Sequence, residues 1–157
     1  MKKQVRGVVF PNSKTIYSAS RDATVQKWEL VRSNPPSFES SLLSHGSAFI
    51  NSITFLPPSS TYPDGLVFSG GKEAIIEARA PGKSSQENAD ALLLGHTSNV
   101  CALDVSGDGK YIVSGSWDTE ARVWQVGNWD TSTVLEGHEG SVWAVMFFDN
   151  EHIITGT

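Results

Sequence analysis

The chain has 157 residues, of which 39% are hydrophobic and 18% charged, with a formal net charge of −5. That size and balance describe a folded domain with a substantial core and exclude a disordered segment. The acidic balance argues against a nucleic-acid backbone as partner, which needs clustered Lys and Arg, and no apolar run approaches the roughly 18 residues that span a membrane.

The N-terminus, "MKKQVRGVVFPNS", carries Lys2 and Lys3, but Pro11 breaks its short apolar run, so it is a poor signal peptide. Short runs rich in Val, Ile, Thr, Tyr and Trp follow: "GVVF" (7–10), "TIYSAS" (15–20), "TVQKWEL" (24–30), "YIVSGS" (111–116) and "ARVWQV" (121–126). Turn-forming "PNS", "SRD", "GDG" and "SWD" lie between them, and helix signals are nearly absent. The chain therefore reads as all-β. Its single cysteine, Cys101, cannot form an internal disulfide, which fits a reducing compartment, cytoplasmic and also nuclear.

Internal repetition sharpens this reading. "YSASRDATVQKW" (17–28) and "VSGSWDTEARVW" (113–124) align without a gap, so Ser18, Asp22 and Trp28 match Ser114, Asp118 and Trp124. A worn copy, "FSGGKEAIIEAR" (68–79), lies midway. It keeps Ser69 but has Glu73 for the aspartate and Arg79 for the tryptophan. Three copies of a second segment, "LLSHGSAFINSITF" (42–55), "LLGHTSNVCALDV" (93–105) and "LEGHEGSVWAVMF" (135–147), hold the same phase, and "HIITGT" (152–157) parallels "YIVSGS".

The glycine-histidine pair, the Ser-x-x-x-Asp turn and the Trp six residues after that Asp resemble the WD-repeat β-propeller family. The copy at 95–124 keeps His96, Ser114, Asp118 and Trp124 together. The Trp117-Asp118 pair is not the namesake dipeptide, whose place is taken by Trp124-Gln125 and Trp28-Glu29. Within that family, "DVSGDGKYIVSGSWDTEARVWQVG", "GHTSNVCAL", "VRGVVF…SASRDATVQKW", "GSVWAV" and the degenerate "FSGGKEAII" are similar to the N-terminal propeller of the phospholipase A-2-activating protein family. The resemblance implies a non-catalytic module of a ubiquitin-binding cofactor of the AAA ATPase segregase, with the segregase bound through regions outside this chain. It implies no cofactor, nucleic acid or membrane.

It also implies about three and a half four-stranded antiparallel blades of a larger, seven-bladed propeller spanning 1–157. Blade one covers about 4–43, the degenerate blade two about 50–94, blade three about 99–135, and the start of blade four about 141–157. The predicted strands are 4–10, 14–20, 24–30 and 38–43, then 50–55, 65–69, 74–79 and 90–94. The third set is 99–105, 110–116, 120–126 and 131–135, followed by 141–147 and 152–157. An open arc leaves the 152–157 edge and two blade faces exposed, which points to a fragment of a longer chain, with a self-associated half-propeller as the alternative.

Ser114, His96 and Asp118 superficially form a catalytic triad. Recurrence of Ser18 and Asp22, and the company of Trp28 and Trp124, argue against one. The resemblance implies a structural network running Trp124, Ser114, His96, Asp118. "SGDGK" (106–110) joins two strands and reads as a hairpin, not a phosphate loop. His45, His96 and His138 are repeat markers too dispersed to share a metal ion, and Cys101 reads as an inert strand thiol. Trp129 falls in a loop of the opposite face.

The resemblance places partner binding on one face, and the repeat phase assigns three positions per blade to it. They are Gln4, Arg6 and Arg21; Phe49, Asn51 and Lys72; Asn99, Cys101 and Trp117; then Ser141 and Trp143. Phe49, Trp117 and Trp143 thus stand beside Arg6, Arg21 and Lys72, residue types that dominate interface energetics. Ubiquitin presents an apolar patch with a basic rim, so the aromatics suit it better than the cations do. A WD scaffold binding another protein or peptide is the alternative.

Overall fold

The computed structural model describes residues 4–157, so Lys2 and Lys3 lie outside the described residues. The described residues form fourteen strands and no helix. The first sheet is β1 (Val5–Asn12), β2 (Thr15–Ser20), β3 (Thr24–Ser33) and β4 (Pro36–His45). The second is β5 (Ile50–Leu56), β6 (Leu66–Gly71), β7 (Ile76–Arg79) and β8 (Ala91–Leu93). The third is β9 (Val100–Val105), β10 (Tyr111–Ser116), β11 (Ala121–Gln125) and β12 (Thr131–Leu135). A two-stranded sheet of β13 (Ala144–Phe147) and β14 (Ile153–Gly156) follows. Each sheet is an antiparallel meander in chain order, the blade plan of a WD-repeat β-propeller.

Packing between sheets explains the composition of each strand. β1 and β2 face β5, β5 and β6 face β9, and β9 and β10 face β13. β6 and β10 are therefore covered on both faces. "LVFSGG" and "YIVSGS" are buried almost throughout and show no polar alternation. The outer strand β4 is exposed over most of its length, and β12 has no buried residue. Tyr17, Val25 and Leu43 pack on Ile50, Ile53 and Val67 between the first two sheets. Phe68, Ile76 and Leu93 pack on Val100, Ile112 and Trp124 between the next two.

The tight turn between the second and third strands repeats as well. Ala23, Ala74 and Thr119 follow Asp22, Glu73 and Asp118, and all three have positive φ (69°, 61° and 73°). The two aspartates hold the turn by accepting the N–H two residues on, Thr24 on Asp22 Oδ1 at 3.2 Å and Glu120 on Asp118 Oδ1 at 3.0 Å.

Most strand ends differ from the sequence reading by one or two residues, and the differences are larger in the β3–β4 hairpin and at the start of β13. β3 and β4 continue to Ser33 and Pro36, well past the predicted 24–30 and 38–43; these two residues pair, and only Asn34 and Pro35, joined by a cis bond, form the tip of the hairpin. β13 begins at Ala144, not at 141. Residues 141–143 are drawn to both neighbours, with Val142 N–H bonded to the Ser116 carbonyl at 2.9 Å and Trp143 N–H to that of Gly156 at 2.8 Å.

Candidate functional site

The polar repeat residues meet inside the third sheet. Trp124 Nε1 lies 2.8 Å from Ser114 Oγ, Ser114 Oγ lies 2.7 Å from His96 Nε2, and His96 Nδ1 lies 2.7 Å from Asp118 Oδ2. The end members fix every proton. An indole can only donate and a carboxylate can only accept, so Ser114 donates to Nε2 and Nδ1–H donates to Asp118. Thr97 N–H adds a bond to Asp118 Oδ2 at 2.9 Å. Ser114 is 0% and Trp124 1% exposed. Nothing from solvent reaches that hydroxyl, so the Ser-His-Asp arrangement has no route to a substrate and serves to satisfy buried polar groups.

Burial lowers the His96 pKa, helped by the Arg122 charge and opposed by the Asp118 hydrogen bond and charge. Desolvation pushes Asp118 up, yet the bonds from Thr97 N–H, His96 and Glu120 N–H together hold it below its ordinary value. His96, Asp118 and Glu120 stand close enough to resemble a metal-ligand set. Their atoms are committed elsewhere: the first two to each other, and Glu120 to Arg122 at 2.7 Å.

The other copies keep parts of this network. Trp28 donates to Ser18 at 2.9 Å, and Asp22 holds both the N–H and the hydroxyl of Thr24. His138 Nε2 lies 2.9 Å from Thr155 Oγ1, the counterpart of Ser114. The second sheet has a different solution. Arg79, standing for the tryptophan, binds Glu77 at 2.8 Å, and Glu77 also accepts from Ser44 Oγ at 2.8 Å. Arg79 then reaches the carbonyls of Ser84 and Glu87.

The proposed partner-facing residues converge on one edge, positioned by a backbone bond that repeats in three blades. The N–H of the residue before the turn acid donates to the carbonyl just ahead of the first strand: Arg21 to Gln4 at 2.9 Å, Lys72 to Phe49 at 3.0 Å and Trp117 to Asn99 at 3.0 Å. Each bond sets two of the phase-assigned side chains beside each other. A cavity of about 340 Å³ opens between them, lined by Arg6, Arg21, Phe49, Asn51, Asn99, Cys101, Trp117 and Trp143.

Contacts within this edge cross from blade to blade. Trp117 and Trp143 meet edge to face at 5.5 Å, and they remain 47% and 54% exposed. Asn51 Nδ2 donates to Asn99 Oδ1 at 2.7 Å. Phe49 is flanked by two cations, Arg21 Cζ at 5.7 Å and Lys72 Nζ at 5.3 Å from its ring centroid. Lys72 does not line this cavity but two neighbouring ones that also include Phe49. The Cys101 thiol points at the Val142 carbonyl, 3.0 Å away, and burial, with the Asp118 charge, pushes its pKa up to about 11. Trp129 lies away from this edge, at positive φ, packed 5.9 Å from Tyr62 and Phe68.

The family described as "WD domain, G-beta repeat" matches residues 90–125. The chain is 36% identical over 128 residues to phospholipase A-2-activating protein of Xenopus laevis, 82% of this chain and 15% of that protein. It is 34% identical over 128 residues to ubiquitin homeostasis protein lub1 of Schizosaccharomyces pombe, 80% of this chain and 17% of the relative. Protein DOA1 of Saccharomyces cerevisiae is 33% identical over 141 residues, 90% and 18% respectively. The chain thus spans less than a fifth of these relatives. The solved WD40 β-propeller domain of Doa1 superposes with a TM-score of 0.86 at 28% identity, over 99% of this chain and 49% of that one. U3-55K, at 20% identity and a TM-score of 0.78, shares the fold. The chain belongs to the WD-repeat β-propellers, and its repeats are similar to those of phospholipase A-2-activating protein, lub1 and DOA1.

Proposed function

We propose that this chain is a non-catalytic interaction module that binds ubiquitin through the edge formed by Phe49, Trp117 and Trp143. In this reading it serves a cofactor of the AAA ATPase segregase in ubiquitin-dependent protein degradation, with the segregase held by regions outside the chain. The observation that carries the reading is the Trp117–Trp143 pair, two large aromatics from different blades held edge to face and still about half exposed. Exposed aromatics supported by packing against each other are the usual energetic centre of a protein interface. The similarity to lub1, whose name refers to ubiquitin homeostasis, supports the choice of partner.

Titration with ubiquitin tests this. Trp117→Ala with Trp143→Ala weakens binding by about tenfold or more at unchanged melting temperature. Equal affinity for the wild type and the double variant sinks the assignment. Binding of another protein at the same edge is the second reading, favoured by Arg6, Arg21 and Lys72, which do not suit ubiquitin's basic rim.

A further inference from the structure

We infer that the Arg6, Arg21 and Lys72 side of this edge binds an acidic peptide segment, a run of carboxylates beside one large apolar side chain. The inference rests on the interaction-face reading but not on ubiquitin being the partner.

The chain has a net charge of −5, and several of its cations are spent on its own acids: Lys27 on Glu29, Arg79 on Glu77, Lys83 on Asp90 and Arg122 on Glu120. Arg21 and Lys72 instead share the Phe49 ring, and Arg6 and Arg21 line the cavity beside it, with no carboxylate within 4.0 Å of their nitrogens among the described residues. The acids next to them in sequence make no ion pair with them among the described residues. Asp22 closes its own turn on Thr24, Asp118 is held by His96, and Glu73 shares a second cavity beside Phe49 with Lys72 without coming within 4.0 Å of its ammonium.

Phe49 pins two of these cations. Long basic side chains normally lose rotamer freedom when they bind, but Arg21 and Lys72 already share the Phe49 ring, and Arg21 Nη1 also reaches Gln4 Oε1 at 3.3 Å. Like charges gathered on one ring are relieved by an anion. The neutral Asn51–Asn99 amide pair lines the same cavity. The Trp117–Trp143 pair lines it too, so a carboxylate held by the arginines brings a neighbouring residue within reach of aromatic surface. The site therefore selects an acidic stretch with an apolar residue embedded in it.

Fluorescence anisotropy on the whole chain tests this, using a labelled peptide of Asp and Glu around a single Leu and its Asn/Gln counterpart. The wild type binds the acidic peptide and not the amide one, with affinity falling as salt rises. Arg21→Glu with Lys72→Glu abolishes binding, and Arg21→Gln with Lys72→Gln weakens it about tenfold and flattens the salt dependence. The Gln pair decides the matter if charge reversal disturbs the circular-dichroism spectrum. Equal affinity for both peptides, no binding by the wild type, or binding unaffected by the Gln pair overturns the inference. The ubiquitin proposal is read separately, from the tryptophan variant with ubiquitin, so either can fail alone.

Discussion

Trp124 donates to Ser114 at 2.8 Å, and Trp28 donates to Ser18 at 2.9 Å in the first blade. The bond is the same, but its surroundings differ: Trp124 and Ser114 are fully buried, whereas Trp28 is half-buried. The hydroxyl left without its donor is sealed at Ser114, at 0% exposure, and closer to solvent at Ser18, at 7% beside the half-buried Trp28. Trp124→Phe, which keeps most of the apolar ring and removes the N–H, should cost about 1–2 kcal/mol, and Trp28→Phe should cost less. His96→Ala removes the centre of the chain and takes a buried hydrogen-bond partner from both Ser114 and Asp118, with a cost of about 1–3 kcal/mol. Denaturant melts of the three variants check this ordering, and an unchanged midpoint for His96→Ala contradicts the network's role.

The same histidine gives the fold an acid sensitivity. Its pKa lies below the usual 6.5 in the folded state, mainly through burial, so the unfolded chain takes up this proton first as pH falls. The stability it protects is complete above about pH 6.5 and is lost as pH drops towards the folded value. Protonation puts an N–H on Nε2, and Ser114 must then turn its hydroxyl to the Arg122 carbonyl, 3.4 Å away. Asp118, held below 3.8, adds a second loss only at more acid pH. Melting temperatures measured across this range should fall less steeply for His96→Gln than for the wild type just below pH 6.5. Parallel curves contradict the assignment.

The sequence was legible where chemistry repeats at a fixed offset. The Ser, Asp and Trp positions set the blade phase, and the phase was enough to nominate the residues that now line one cavity. Relationships across blades were not legible. The Arg21–Phe49–Lys72 stack, the Asn51–Asn99 amide bond and the Trp117–Trp143 pair join residues from different repeats. No local pattern encodes those distances. The second blade hid its solution for another reason: Arg79 and Glu77 replace an indole network with an ion pair, and only burial next to Ser44 reveals them as partners. The long β3–β4 hairpin was masked by its prolines, which read as a loop, although only Pro35 is in the tip and Pro36 already pairs in β4.

Cys101 lines the cavity, yet it should be a slow nucleophile. With its pKa at about 11 and not the ordinary 9.0, its thiolate fraction at pH 8 falls by about a hundredfold. Alkylation by iodoacetamide should be slower than that of a small free thiol by a similar factor and should keep accelerating with pH up to the shifted value. A rate matching the free thiol at pH 8 contradicts this, since it means the Val142 carbonyl and the surrounding burial do not hold the proton.

Close approach of neighbouring blades depends on one position of the second strand, occupied by Ala19, Gly70 and Gly115 in the three sheets. A Cβ at Gly115 would stand 2.9 Å from both Val142 Cγ1 and Val145 Cγ1, and 3.0 Å from the Val142 carbonyl oxygen. The side chains can shift, but the backbone oxygen is held by the same segment that bonds Val142 N–H to Ser116. Gly115→Ala should therefore destabilise by about 1–3 kcal/mol through overpacking. Adding Val142→Ala removes one clashing methyl and leaves the carbonyl, so it should recover only part of the loss once its own cavity cost is subtracted. A double variant no less stable than Val142→Ala alone would show that the blades separate freely at this point, and that the glycine is not needed for their contact.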